Sequence, residues 1–124
     1  MDKYLAVFAG AGLGGVARYA LGVWVMTRYG GRFPLGTLVV NVSGAFLIGL
    51  TMTVLTERLT PHPAWRLFLV VGVLGGYTTY SAFAYETLEA VKDGERLMGL
   101  IYVLATVTAA YLAVWLGAAI AGRR

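Results

Sequence analysis

The chain has 124 residues, 59% of them hydrophobic and only 13% charged, with ten Lys and Arg against six Asp and Glu and a formal net charge of +4. That balance excludes an ordinary water-soluble domain and reads as an integral membrane protein. The lack of cysteine excludes a disulfide framework and thiolate metal sites, and the basic excess flanks apolar spans, where it bears on membrane orientation and not on nucleic acid.

Four stretches reach the roughly 20 apolar residues needed to cross a hydrocarbon core about 30 Å thick. They run from about Tyr4 to Met26, Leu35 to Leu55, Leu67 to Ala90 and Leu97 to Ala121. The expected organisation is one all-α, four-helix transmembrane domain over 1–124.

The first span opens directly after Asp2-Lys3 and continues past Arg18 to Met26. A signal peptide would have an apolar region of only about 7–15 residues, so this is read as a membrane helix. Gly10-Ala11-Gly12-Leu13-Gly14-Gly15 matches G-x-G-x-x-G, but a dinucleotide fold wants an acidic residue about 20 positions on. None occurs between Asp2 and Glu57. Gly10 and Gly14 instead have the small-xxx-small spacing of a flat helix face. Arg18 lies inside the span, where an arginine costs about 2.5–3.5 kcal/mol on insertion scales. Reaching the Arg28 end would take about 15 Å, more than the side chain spans unaided. Arg18 should therefore face a polar interior, an anion or an acidic partner.

The second span carries Thr37, Asn41 and Gly44 at i, i+4 and i+7, so the three share one helix face. The Asn41 amide should not face lipid; it either bonds another helix or lines a polar path. A loop from Thr56 to Arg66 follows, and His62, between Pro61 and Pro63, reads as an exposed loop residue and not as a ligand or base.

The third span contains Gly72-Val73-Leu74-Gly75-Gly76-Tyr77-Thr78-Thr79-Tyr80-Ser81-Ala82-Phe83. Paired glycines each cost roughly 1 kcal/mol in a helix interior, and the Thr78-Thr79 hydroxyls compete for nearby backbone. A helix break is predicted here. In a bilayer such a break survives only where protein or a watery cavity satisfies the freed amides and carbonyls, which makes it a candidate ion site. The competing reading is a kinked helix packed through small residues. The span ends in Glu86 and Glu89, which approach the interface near Lys92 and Arg96. On the fourth span, Tyr102 and Thr106 place hydroxyls on one face, Ala110 follows one turn on, and Thr108 and Tyr111 point elsewhere.

Four spans put Lys3, Arg58, Arg66, Arg123 and Arg124 on one side and Arg28, Arg32, Lys92 and Arg96 on the other. Five against four gives almost no positive-inside bias. Such balance predicts insertion both ways and pairing with an inverted copy, an intermolecular form of the inverted repeat found in many transporters.

Taken together, Gly14-Gly15-x-x-Arg18-Tyr19, Gly36-Thr37-Leu38-x-x-Asn41-x-x-Gly44-x-Phe46-x-x-Gly49 and Gly72-x-x-Gly75-Gly76-x-Thr78-Thr79-Tyr80-Ser81-x-Phe83 resemble the Fluc/CrcB fluoride channel family. The fourth span matches through Tyr102 and Thr106. The resemblance implies an antiparallel, dual-topology homodimer of four-helix subunits in a cell inner membrane or plasma membrane, surrounded by lipid, with two pores selective for fluoride. It implies a structural sodium ion on the dimer axis, held by backbone carbonyls of the broken third helix at positions matching Gly75 and Thr78. It also implies pores lined by Asn41, Tyr80 and Phe83, with a hydroxyl line at Tyr102 and Thr106; Arg18 is assigned to the vestibule as an anion-attracting charge. The chain departs from the family in having Tyr80 where phenylalanine is usual, Ala82 where a hydroxyl often follows Ser81, and Ala110 at the next hydroxyl site of the fourth helix.

The chemistry suits that reading, because a small, strongly hydrated anion needs a narrow path whose donors replace water. Asn41 and Thr106 can donate, and the positive ring edges of Tyr80 and Phe83 add weak attraction. The main alternative is a four-helix, dual-topology multidrug transporter, which relies on a membrane-embedded carboxylate to couple protons to cationic substrates. The first two spans have no Asp or Glu. A membrane scaffold would explain the glycine faces but not Asn41, Arg18 and the break together. An enzyme is disfavoured, since no nucleophile, base and orienting group stand at recognisable spacing.

Overall fold

Each apolar stretch becomes one helical span in the computed structural model, which describes residues 2–59 and 62–122. Thr60, Pro61, Arg123 and Arg124, used above in the loop and charge readings, lie outside the described residues. Helix α1 is Lys3–Tyr29, about 40 Å long at 1.5 Å per residue and enough to cross a bilayer core. Asp2 starts it by accepting from the Tyr4 amide at 3.0 Å. Helix α2 is Leu35–Thr53, and a π-helical turn, Val54–Arg58, prolongs it.

The third span is divided. Helix α3, over 63–77, starts as Pro63–Arg66, widens into a π-helical coil at Leu67–Leu74 and closes with the turn Gly75–Tyr77. His62 caps it, its Nδ1 accepting from the Ala64 amide at 3.0 Å, with Pro63 at the first helical position, where its missing N–H costs nothing. The loop expected from Thr56 to Arg66 is therefore mostly helical turn, and the wide coil before the break has no counterpart in the sequence reading. Thr78 and Thr79 are extended, after which helix α4, Tyr80–Lys92, resumes the span. Helix α5, Arg96–Ala121, follows a turn in which Gly94 takes a positive φ of 82°.

Burial of apolar surface gives little drive for association between helices in lipid, so close packing of small residues must hold the bundle. Helix α1 lies along α3, and α2 along α5. A Cβ on Gly10 would strike the Phe68 carbonyl, and one on Gly14 the Val73 carbonyl; these two glycines are the flat face anticipated on the first span. At the other seam a Cβ on Gly117 would strike the Phe46 carbonyl and one on Gly49 the Val114 carbonyl. On α5 the buried positions Gly99, Tyr102, Thr106, Gly117 and Ala121 fall on one stripe, while Thr108 and Tyr111 are exposed. The chain is a multi-pass, all-helical membrane protein.

Candidate functional site

The helix break is where the bundle departs from self-sufficiency. In a continuous helix the Thr79 amide would donate to the Gly75 carbonyl and the Ala82 amide to the Thr78 carbonyl. Both donors are diverted. The Thr79 amide donates to Asn41 Oδ1 at 2.8 Å, and the Ala82 amide donates to Thr79 Oγ1 at 3.2 Å, an N-cap for α4. Asn41 Nδ2 returns a bond to the Thr79 carbonyl at 2.9 Å. Asn41 thus docks onto another helix through a reciprocal amide pair, which leaves its second N–H free for a further acceptor. Arg18 reaches the same break from α1, its Nε donating to the Gly76 carbonyl at 3.1 Å.

The expected break therefore exists, but it lies at Thr78 and Thr79 and not at the glycines. Gly75 is helical, with φ −63° and ψ −40°. Thr78 Oγ1 and its amide both donate to the Leu74 carbonyl, at 3.0 and 3.1 Å, and end α3 cleanly. As a site for a metal, this break fits a hard cation of low charge. The Gly75 and Thr78 carbonyls lose their helical donors, and oxygen dipoles are what such a cation binds. Among the described residues no cluster of three His, Cys, Asp or Glu side chains is arranged to hold a metal.

Two cavities flank the break. One, of about 430 Å³, has Asn41, Gly75, Thr78, Tyr80, Phe83 and Thr106 in its wall. The other, of about 470 Å³, is lined by Arg18, Thr37 and Glu86 among others, and Thr79 borders both. Six of the eight residues singled out in the sequence thus meet in the first cavity. Phe83 packs edge-on to Tyr102 with ring centroids 5.1 Å apart and lies 5.9 Å from the Tyr80 ring. Tyr80 itself is 81% exposed on the subunit. Thr106 is 7% exposed, and its Oγ1 is the one buried side-chain polar atom among the described residues without a hydrogen-bond partner.

Tyr102 and Arg18 are placed differently. The Tyr102 ring is fully buried beside Phe83 and Phe33, and its hydroxyl donates to Glu86 Oε1 at 2.7 Å. Thr37 Oγ1 donates to the other carboxylate oxygen, Oε2, at 2.9 Å. Glu86, part-buried on α4, is thus tied to the bundle by hydroxyls from α2 and α5, a pair of bonds that the sequence reading did not include. The sequence carried a signal for this that the reading above did not use: Thr79, Phe83 and Glu86 stand at i, i+4 and i+7, so the carboxylate shares the face of the candidate pore residues. Thr37, Asn41 and Gly44 do share one face, as their spacing predicts, and all three meet the broken span, Gly44 lying against Thr78 and Tyr77.

The break thus gathers a guanidinium, several hydroxyls and an amide beside two aromatic rings within an apolar bundle. Residues 5–118 match the family model described as CrcB-like protein, Camphor Resistance (CrcB). Over 121 residues the chain is 60% identical to the fluoride-specific ion channel FluC of Solibacter usitatus, covering 98% of this chain and 99% of that one. The FluC proteins of Acidobacterium capsulatum and Thermus thermophilus are 47% and 43% identical, with coverage of 98% of this chain and 97% and 95% of theirs. A match that runs from the first helix through the last, over the residues that build both cavities, makes this chain a member of the CrcB family.

Proposed function

We propose that the chain is a fluoride-selective channel that lets the ion leave passively, and not an enzyme. The observation that carries this reading is the orphaned, buried hydroxyl of Thr106, a residue that lines the same cavity as Asn41 and Phe83. A buried hydroxyl without a partner costs about 1–3 kcal/mol, a cost that a passing anion or water would remove. Fluoride gains most from such closely set donors, and the spare Asn41 N–H together with the Phe83 ring edge completes the contact set. The FluC relatives support the same choice of ion.

The working unit we propose is an antiparallel homodimer with two pores. Two features support it: the near-equal basic charge on the two sides, and Tyr80, which belongs to the cavity wall yet is 81% exposed on one subunit. A structural sodium ion at the dimer axis fits the Gly75 and Thr78 carbonyls; when bound, it would supply the positive charge that holds these dipoles together.

Glu86 is the observation that favours a coupled transporter, because it is a carboxylate held within the bundle. Efflux from proteoliposomes separates the two. Fluoride should leave at a rate set by membrane voltage, chloride should stay, and Thr106→Val should slow fluoride about tenfold, the worth of one lost hydrogen bond. Efflux that needs a proton gradient and ignores voltage would remove the channel reading.

A further inference from the structure

The Arg18 cavity adjoins a third one of about 260 Å³, and Arg32, Pro34 and Glu86 line both. The two differ in charge. The larger presents Arg18 and Arg32 against Glu86 alone, whereas the smaller sets Arg32 against Glu86, Glu89, Asp93 and Glu95. Arg32 is the cation common to both, and without it the smaller cavity would present only carboxylates to an approaching anion. Residues 30–34 form no helix or strand, and the Arg32 side chain is 79% exposed. Its guanidinium is paired with Glu95, whose own side chain is only 26% exposed.

We propose that Arg32 is the anion-collecting residue of this mouth and that Glu95 is its counter-charge, so that the pair sets the field an entering anion meets. The inference rests on the channel reading above. Arg32 is not among the residues that line the aromatic cavity, so it acts on how often an anion arrives and not on which anion passes. In water a unit charge some 8 Å from the entering ion is worth about a twofold change in local concentration, and a low-dielectric rim raises that. Ionic strength distinguishes this role from a structural tie. The screening length is about 30 Å at 0.01 M and about 3 Å at 1 M, so a field effect vanishes with salt whereas a packing defect persists.

The experiment is initial fluoride efflux from proteoliposomes with valinomycin, using wild type, R32Q, R32K and E95Q, each assayed at about 0.01 M and about 1 M of a potassium salt with a large impermeant anion. At low ionic strength R32Q should be about two- to threefold slower than wild type, R32K unchanged and E95Q faster by a similar factor; at high ionic strength all four should converge. Fluoride-over-chloride selectivity should be the same throughout. A deficit in R32Q that persists at high salt would overturn the inference, showing that Arg32 merely ties the linker to the turn before α5. So would wild-type efflux in R32Q at low salt. Should R32Q fail to assemble by size-exclusion chromatography, E95Q decides alone, and an unchanged or slower rate at low salt overturns the proposal. Wild type without any fluoride efflux would instead bring down the channel reading itself.

Discussion

Phe83 is where packing and function separate most cleanly. Its ring packs near those of Tyr102 and Tyr80, and Phe83 lines the same cavity as Thr106. If it serves only to fill space, Phe83→Ile should cost less than about 1.5 kcal/mol and leave flux intact, as volume-conserving apolar swaps do. A ring edge that contacts the ion predicts otherwise: flux per assembled dimer should be nearly abolished in Phe83→Ile while size-exclusion behaviour stays normal. Tyr80→Phe keeps the ring and should be mild. Asn41 makes the complementary case. Asn41→Ala leaves the Thr79 amide and carbonyl unpartnered at the break and should lower stability by about 1–3 kcal/mol. Asn41→Asp keeps the acceptor for the Thr79 amide and should fall between. Thermal unfolding in detergent, followed by loss of the assembled peak, measures both; wild-type stability in Asn41→Ala would mean that the amide pair contributes nothing.

At the level of elements, sequence reading worked where polarity or chain conformation carries the information and failed where it does not. Span number follows from the length of apolar runs, and the helix break from Gly75-Gly76 and Thr78-Thr79, with the threonines providing the actual stop. The small-xxx-small face of α1 was legible because Gly10 and Gly14 have no reading in lipid other than close approach. The π-helical coil Leu67–Leu74 was not legible. Its residues are apolar on every side, so neither a hydrophobic stripe nor a capping residue marks the wider turn. The partners of Glu86 were not legible for a related reason: counting along one helix gives its distance from Lys92 but not the hydroxyls that Thr37 and Tyr102 bring to it from other helices. One prediction belongs to this scale. Gly14→Val would drive a side chain into the Val73 carbonyl and separate α1 from the broken span. Assembly should be lost, whereas Gly12→Val, at a position with open space, should assemble normally; equal assembly of the two variants would argue against the seam.

For the whole molecule, the near-equal charge of the two sides predicts that both orientations occur in one membrane. Reporter fusions at the C-terminus should then register on both sides. A single orientation that survives adding or deleting one loop arginine would defeat the antiparallel dimer. The other consequence concerns regulation. At the helix break the Thr79 amide, carbonyl and hydroxyl are all bonded, Gly76 is tied to Arg18, and Thr78 is tied back to Leu74. A shutter at this point would need several of those bonds to open at once. Single-channel records should therefore show one steady conducting level without voltage-driven closures, and frequent long closures would mean that the break is softer than its bonding implies. Steady records would leave a cell to govern such a pathway chiefly through the number of copies it makes, with control in synthesis and turnover and not in the protein's own motion.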